Sequence, residues 1–355
     1  MIIDDSALVR QALNHIFSTG DEFEVIGMAN DPYDAVQQLK KDVPDVITLD
    51  VEMPKMDGIT FLGKLMKQHP IPVVVISTLT KKGTNAALKA LEYGAVEVMH
   101  KPNVSTGYEL DRNASYIRTA VRSASHANKR LLARGRLKAS PAQDTGKRSA
   151  VLDYGKVPKQ AKRLLAIGAS TGGTEAIRVI LKKLHSESPG TVIVQHMPGM
   201  FTGQFAERLN MDCDISVKEA VDGDRVLPGH ALIAPGNQHM VLKKDLKGFY
   251  VELNEHEEVN RHRPSVDVLF HSVAHVAGVK ATGALLTGMG KDGARGLLAM
   301  REAGAFTIAQ DESSSVVFGM PKEAVRLEAA TKVLSIEQVG QYLSTIKNEN
   351  SGYDE

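Results

Sequence analysis

The sequence predicts an α/β protein of two domains, each a doubly wound, mostly parallel sheet flanked by helices. First, 355 residues exceed one ordinary domain and suffice for two domains with separate cores. Second, apolar β-branched runs alternate with segments of helical spacing, which is typical of parallel strands joined by crossover helices. Third, a polar segment at residues 139–162 has linker composition and separates two such alternating regions.

Composition limits the cellular context. Apolar residues make up 43% of the chain, yet no uninterrupted apolar stretch approaches the roughly 20 residues of a membrane span. The N-terminus lacks a signal-peptide pattern. The single cysteine, Cys213, excludes an internal disulfide and a cysteine-cluster metal site, which fits a reducing compartment. We therefore expect a cytoplasmic protein without membrane insertion, with Cys213 packed and unreactive.

Charge is distributed unevenly although the net charge is +1. Residues 112–163 contain 14 basic and 2 acidic residues. Upstream, apolar residues at helical spacing predict that the first domain ends in a helix that continues into this basic stretch. The predicted organisation is a first domain at 1–120, a basic helix extension and linker at 121–162, a second domain at 163–347 and a tail at 348–355.

Polar residues follow the predicted strands of the first domain. These residues are Asp4, Asp5, Asp50, Ser77 and Lys101. Parallel strands end at one edge of a sheet, so these side chains should meet there. Three carboxylates beside a lysine suit a hard divalent cation, and an ionised aspartate can attack a phosphoryl group. Asp50 alone would be interpreted as an exposed turn aspartate, but the five positions together predict a phosphoryl-accepting site.

These residues carry a resemblance to the receiver domains of two-component response regulators, which have a flavodoxin-like fold. The matching features are Asp4-Asp5-Ser6, residues 49–54, Asp57-Gly58, Ser77 and Lys101-Pro102. The resemblance implies that Asp50 accepts phosphate from a chemotaxis histidine kinase, with Ser77 and Lys101 contacting the phosphoryl group. It also implies a magnesium ion held by Asp4, Asp5, Asp50 and the backbone carbonyl of Glu52.

The sequence departs from the receiver pattern in two places. Three residues precede Asp4, so the first strand is predicted to be several residues shorter than that of the family, and either an upstream start or a truncated sequence would account for this. Val98 stands where many receivers have an aromatic switch residue. The resemblance therefore does not carry that rotamer switch over to this chain.

A serine on a glycine-rich turn is the main feature of the second domain. Residues 164–168 predict a buried strand, and the turn at 169–173 leads into a helical pattern. The glycines allow tight backbone geometry around Ser170, and amides at the helix start suit an oxyanion. The same turn could instead hold a nucleotide phosphate. The turn alone does not separate a hydrolase from a nucleotide-binding protein.

Candidate partners for Ser170 separate these alternatives, because a nucleophilic serine needs a base and the base needs a carboxylate. His196 follows the apolar run 191–195, and Asp292 lies in a glycine-rich turn after 284–287. All three should meet at one sheet edge. Ordinary loop or helix positions are predicted for the other histidines considered, which are His69, His185, His230, His271 and His275. No histidine follows His275, so the order serine, histidine, aspartate differs from that of α/β-hydrolases.

This order closely resembles that of the chemotaxis-specific protein-glutamate methylesterases, the CheB family, over residues 163 to about 345. Other matching segments are residues 195–198, 234–240, 263–267 and 318–321. The resemblance implies that Ser170 is the nucleophile, that His196 acts as general base and then acid, and that Asp292 orients His196. Thr171 and Met289 would lie beside them, with the Met289 amide a candidate oxyanion donor. His239 and Arg263 would either line the substrate groove or serve loop packing.

The resemblance implies a phosphorylation-activated hydrolase that removes glutamate γ-methyl esters from chemoreceptors and deamidates receptor glutamines. Its substrates would be methylated chemoreceptors, and the esterase would need no cofactor. Control would come from the receiver covering the esterase cleft. The basic stretch raises one alternative, a DNA-binding regulator with a compact helix-turn-helix module, although no nucleic-acid partner is expected. A regulated scaffold with an inactive hydrolase fold is the other.

Overall fold

The computed structural model describes residues 1–77, 81–102, 107–127 and 161–348. The chain divides into two compact units, Met1–Arg136 and Leu137–Glu355. Nearly all of the predicted linker, and the tail after residue 348, lie outside the described residues. Among the helices of the described part, none is long and apolar enough to cross a membrane.

The first unit contains a five-stranded sheet in the order β2-β1-β3-β4-β5, with all neighbouring strands parallel. The strands are β1 Ile2–Ile3, β2 Met28–Ala29, β3 Ile47–Leu49, β4 Val73–Ser77 and β5 Glu97–His100. The helices are α1 Ala7–Ser18, α2 Pro32–Leu39, α3 Gly58–Gln68, α4 Lys81–Glu92 and α5 Gly107–Ser125. This strand order is the doubly wound, flavodoxin-like arrangement that the sequence predicts.

Short polar side chains start the first three helices of the first unit. Ser6 accepts a hydrogen bond from the Val9 amide at the start of α1, and Asp57 caps α3 through Thr60. These caps satisfy amides that a helix leaves unpaired at its N-terminus. Because each helix begins soon after a strand ends, the residues between them are held at the carboxyl edge of the sheet.

The second unit contains a seven-stranded parallel sheet in the order β14-β13-β12-β6-β7-β9-β8. The strands are β6 Leu164–Ala169, β7 Gly190–Gln195, β8 Ser216–Glu219, β9 His230–Ile233, β12 Ala281–Leu285, β13 Phe306–Gln310 and β14 Lys332–Leu334. The helices are α6 Gly173–Leu181, α7 Gly199–Asp212, α8 Val266–Ala277, α9 Ala294–Glu302, α10 Met320–Arg326 and α11 Ile336–Ser344. This confirms the predicted doubly wound α/β fold.

An antiparallel hairpin stands apart from this sheet. It pairs β10 His239–Asp245 with β11 Gly248–Asn254. Strand β10 packs against α8, and the Leu242 amide donates to Ser272 Oγ at 2.8 Å. Phe270 is fully buried in the core cluster that both elements share. The sequence analysis did not predict this hairpin as a separate sheet.

The DNA-binding alternative is not supported by the second unit. That alternative predicts a compact helix-turn-helix module downstream of the linker. Residues 161–348 instead form the seven-stranded parallel sheet with helices on its faces. Such a sheet positions functional groups at the carboxyl ends of its strands, as the hydrolase interpretation requires.

Candidate functional site

Three carboxylates meet at the carboxyl edge of the first sheet. Asp4 follows β1 and Asp50 follows β3, and both are buried, whereas Asp5 is exposed. Oxygen atoms of the three lie within 4.8 Å of one another. Lys101 follows β5, and its Nζ lies 2.7 Å from Asp50 Oδ2 and 3.0 Å from Asp4 Oδ2. The structure thus brings together four of the residues predicted for this site.

Backbone contacts hold these side chains in place. The Glu52 amide donates to Asp50 Oδ1 at 3.1 Å, and the Ser6 amide donates to Asp4 Oδ1 at 2.9 Å. Ser77 is the last residue of β4 and is buried. Its carbonyl accepts the Lys101 amide at 2.9 Å, so the lysine backbone is tied to the neighbouring strand.

Burial makes the negative charge at this site costly. Burial raises the pKa of Asp50 to about 6, and the hydrogen bond from Lys101 offsets only part of that rise. Burial also raises the pKa of Asp4. For Lys101, burial opposes the charged form, but Asp50 and Asp4 raise its pKa overall. Three carboxylates facing one ammonium leave a net negative charge, and oxygen ligands of this kind fit a hard cation such as Mg²⁺.

Close packing explains the glycine of the Asp57-Gly58 pair. A Cβ atom on Gly58 would lie 2.1 Å from the Asp50 carbonyl oxygen. Only a residue without a side chain lets α3 begin this close to Asp50. Val98, at the position of the usual aromatic switch residue, is buried in β5 and pairs with Val75 of β4.

Ser170 follows β6, the central strand of the second sheet, and is 7% exposed. Its amide donates to the Thr287 carbonyl at 3.0 Å, and Gln195 Nε2 donates to its carbonyl at 2.9 Å. Gly172 has φ 77 and starts α6, a left-handed conformation that favours glycine. The turn is therefore fixed by both neighbouring strands before any substrate binds.

His196 and Asp292 form a hydrogen-bonded pair at the same edge. His196 follows β7, and its Nε2 lies 2.8 Å from Asp292 Oδ2. The His196 amide donates to the Ala169 carbonyl at 3.1 Å, which holds this residue beside the serine turn. Within the described part of the chain, His196 Nδ1 is buried and has no hydrogen-bond partner. Because Nε2 donates to the carboxylate, Nδ1 is the nitrogen that can accept a proton.

Several donors surround Asp292. Its Oδ1 accepts from Ser265 Oγ and from Asn260 Nδ2, each at 2.7 Å. Its Oδ2 also accepts the Val266 amide at 2.7 Å, at the start of α8. Burial alone would raise the pKa of Asp292, but the hydrogen bonds from His196, Asn260 and Ser265 hold it well below its usual range. Asp292 is therefore ionised at neutral pH, as a residue that orients a base must be.

The turn at 259–262 completes this arrangement. Val259 and His262 pair through their backbones, with N···O distances of 3.1 and 3.0 Å. The His262 ring stacks on His196 with a centroid separation of 3.7 Å and an interplanar angle of 10°. Burial, and to a lesser degree His196, lower the pKa of His262 to about 3. Sequence reasoning missed both His262 and Asn260, since the turn lacks glycine and its contacts are long-range.

The remaining predicted neighbours lie on loops at the same edge. Thr171 is buried, and its carbonyl accepts from Thr287 Oγ1 at 2.9 Å. Met289 follows β12 and is partly buried. His239 is buried, with Nδ1 accepting the Ser265 amide and Nε2 bonded to the Glu257 carbonyl. The Arg263 guanidinium donates to two backbone carbonyls of residues 255–256. These bonds support the loop-packing interpretation of His239 and Arg263.

Comparison with known proteins gives matches along nearly the whole chain. The model of the CheB methylesterase family matches residues 165–343, and that of the response regulator receiver domain matches residues 1–107. The chain is 49% identical over 349 residues to protein-glutamate methylesterase/protein-glutamine glutaminase 2 of Rhizobium johnstonii, covering 96% of each. It is 51% identical over 336 residues to the protein of the same name from Oleidesulfovibrio alaskensis, covering 95% of this chain and 94% of that one. The crystal structure of the Thermotoga maritima CheB methylesterase catalytic domain is similar with a TM-score of 0.50 and 36% identity, covering 52% of this chain and 97% of that one.

Proposed function

The chain belongs to the CheB methylesterase family, and on that premise we propose that it hydrolyses glutamate γ-methyl esters of chemoreceptors and deamidates their glutamines. Ser170 is the nucleophile, His196 the base and Asp292 the residue that orients the base. The proposal is carried by the 2.8 Å hydrogen bond from His196 Nε2 to Asp292. With Nε2 occupied, the buried Nδ1 is the group available to take the serine proton.

In the first half of the reaction, Ser170 Oγ attacks the side-chain carbonyl carbon and its proton passes to His196 Nδ1. The imidazolium that forms is stabilised by ionised Asp292 through Nε2–H. Backbone amides near Thr171 and Met289 are our candidates for donors to the oxyanion. The tetrahedral intermediate then collapses as His196 donates its proton to the leaving methoxide or amide nitrogen, which releases methanol or ammonia.

The second half restores the enzyme. Water attacks the acyl carbon, and its proton passes to His196 Nδ1. The ester bond to Ser170 breaks, and His196 returns a proton to Ser170 Oγ. The net reaction converts ester and water into carboxylate, methanol and a proton, or amide and water into carboxylate and ammonium. Both outcomes use the same groups, so one site accounts for both activities.

In this proposal, phosphorylation of the first unit controls the esterase activity of the second. A chemotaxis histidine kinase donates a phosphoryl group to Asp50: the carboxylate forms the new P–O bond while the P–N bond of the kinase phosphohistidine breaks and the histidine leaves. Asp4, Asp5, Asp50 and the Glu52 carbonyl would hold Mg²⁺, which neutralises phosphoryl oxygens when bound. Lys101 lies 2.7 Å from Asp50 and balances the added charge, with Ser77 beside it. We place the protein in the cytoplasm, with kinase and receptor domains as its partners.

The test of this proposal is methanol release from membranes that carry methylated chemoreceptors. We expect release by the full-length protein, and an increase when a small-molecule phosphodonor and Mg²⁺ are added. Ammonium release from receptors with glutamine at the same positions tests the deamidase. Folded protein that releases neither product would contradict the proposal and favour the scaffold alternative.

A second prediction concerns the control site. Asp50→Asn removes the attacking carboxylate, so we expect no phosphoryl incorporation and no rise in methanol release when the phosphodonor is added. About 1.4 kcal/mol of coupling free energy would change the wild-type rate by up to about tenfold. The measurement is the ratio of rates with and without phosphodonor.

Asp57→Asn is the matched control for this ratio. Asp57 lies in the same loop and caps α3 through the Thr60 amide, and asparagine is an equally good capping residue. We expect this variant to respond like the wild type. A phosphodonor response that persists in Asp50→Asn would contradict the assignment of Asp50 as acceptor.

A further inference from the structure

The turn at 259–262 has a backbone that most residues avoid. Asn260 and Arg261 have φ values of 54° and 66°, both in the left-handed region. Two such residues between paired flanking residues form a tight two-residue hairpin turn. Left-handed conformations cost free energy for residues other than glycine, although asparagine tolerates them well. The turn is thus held in a demanding conformation directly beside the paired histidine and aspartate.

Both side chains that the turn directs inward contact the proposed catalytic pair. Asn260 Nδ2 lies 2.7 Å from Asp292 Oδ1 and 2.8 Å from Asp267 Oδ2. His262 stacks on the ring of His196. The turn therefore contacts the acid through one residue and the base through another.

We infer that His262 is a positioning residue for the base His196, and that Asn260 in the same turn positions Asp292. This inference rests on the proposed function and deepens it. One hydrogen bond from Nε2 to Asp292 does not by itself fix the plane of the imidazole, so a ring without further support can tilt or flip and lose that bond. A ring stacked at 3.7 Å fixes the plane and keeps Nδ1 directed at the substrate side. Misplacement of a reacting group by about 1 Å can cost on the order of 100-fold in rate.

The stacked ring must also be uncharged. His196 and Asp292 are the titratable groups that act on His262, and burial together with His196 disfavours its charged form. A protonated His262 would repel the imidazolium that forms on His196 during the reaction. A neutral ring instead lets that charge form while keeping the base aligned.

Asn260 also reduces the repulsion between two buried carboxylates. Asp267 and Asp292 are both buried; burial raises the pKa of Asp267, and the charge of Asp292 adds to that rise. An amide nitrogen donates to both carboxylates at once, whereas a carboxylate at position 260 would add repulsion. Asn260 therefore links two acids that would otherwise oppose each other.

The experiment compares His262→Ala, His262→Phe and His256→Ala in the full-length protein. We expect His262→Ala to lower kcat by about 10- to 100-fold with little change in KM. His262→Phe keeps a flat ring and should recover kcat to within about fivefold of the wild type. His256→Ala removes an exposed histidine from the same segment and should leave kcat unchanged. Equal kcat values for the wild type and His262→Ala would overturn the inference.

Two further readouts distinguish positioning from a purely structural role. Imidazole ¹⁵N shifts should show His196 as the Nε2–H tautomer in the wild type and in His262→Phe, and as a mixture in His262→Ala. The acid limb of the kcat–pH profile should be the same in the wild type and His262→Phe, because His262 is neutral there. A displaced acid limb in His262→Phe, or a wild-type His196 that is not the Nε2–H tautomer, would count against the inference.

The role of Asn260 is tested with Asn260→Gly, and Arg261→Gly in the same turn is its control. Glycine accepts both left-handed conformations, so Asn260→Gly removes the amide without straining the turn. We expect kcat to fall several-fold in Asn260→Gly and to stay unchanged in Arg261→Gly, whose side chain is exposed. Equal rates in these two variants would refute the role of Asn260. The ¹⁵N shifts do not depend on turnover, so an inactive wild type would contradict the proposed function while His262 could still be tested.

Discussion

Ser170→Ala is expected to lower kcat for ester hydrolysis by at least about 10⁴-fold, a larger loss than we expect from any other single substitution in this protein. Loss of a serine nucleophile removes the acyl-enzyme route and leaves only oxyanion stabilisation and substrate binding. The comparison is methanol release by the wild type and the variant from the same methylated receptor membranes. Adding phosphodonor should not restore activity to the variant. Phosphorylation would regulate the reaction of Ser170, and the variant lacks the serine that carries out this reaction.

This loss should occur without unfolding. The bonds that fix the turn use the backbone of Ser170, through the Thr287 carbonyl and the Gln195 side chain, and alanine retains both. Ser188→Ala is the matched control, since Ser188 is also buried and its Oγ accepts the His185 amide at 3.0 Å. We expect that variant to lose a little stability and no activity. Methanol release by Ser170→Ala at more than about one per cent of the wild-type rate would refute the nucleophile assignment.

The sheet architecture could be predicted because its signals are local. Fully apolar runs such as β4 and β6 are buried along their whole length, as parallel central strands must be. The β10–β11 hairpin was not predicted as a separate sheet, because which strands pair depends on long-range packing against α8. Nearly all of the linker, and the tail after residue 348, fall outside the described residues, so these assignments stay predictions.

Residues of the two proposed sites could be predicted where they directly follow a strand. Asp4, Asp50, Ser170, His196 and Lys101 each come immediately after one, and strand ends converge at one edge of a parallel sheet. Asn260 and His262 lie in a turn remote from any strand of the main sheet, so nothing local marks them. Which nitrogen of His196 faces Asp292 likewise depends on side-chain rotation, which sequence spacing does not determine.

Both sites occupy a reversal point of strand order within their own sheet. In the first unit β1 connects to β2 on one side and β3 to β4 on the other, and Asp4 and Asp50 follow β1 and β3. In the second unit β6 connects to β7 and β12 to β13 in opposite directions, and Ser170 and Asp292 follow β6 and β12. Helices that leave on opposite faces open a crevice there. The same topological rule therefore accounts for the positions of the proposed phosphoryl-accepting site and of the proposed hydrolase site.

Asp292→Asn is the second substitution with a large expected effect, a loss of about 10³- to 10⁴-fold in kcat. Among the described residues, all hydrogen-bond partners of this carboxylate are donors: His196 and the Val266 amide at Oδ2, and Ser265, Asn260 and the Asp267 amide at Oδ1. If the amide nitrogen of asparagine occupies the Oδ1 position, it places one donor against another, the Nδ2 of Asn260. If the nitrogen occupies the Oδ2 position, His196 Nε2 must accept a hydrogen bond from it. His196 is then the Nδ1–H tautomer, which cannot accept the serine proton. Either orientation disables the base or leaves a buried donor unpaired.

Asp267→Asn is the control that separates catalysis from stability. Asp267 is also buried, and its carboxylate accepts from the Gly296 amide at 2.6 Å and from Asn260. Its hydrogen bonds do not include one to His196 among the described residues. Both variants should lose about 1–3 kcal/mol of unfolding free energy, because each places an amide among buried donors. Only Asp292→Asn should also lose the Nε2–H tautomer of His196 and most of kcat. If the two variants lost activity in proportion to stability alone, Asp292 would be a structural residue and the base would be oriented by other groups.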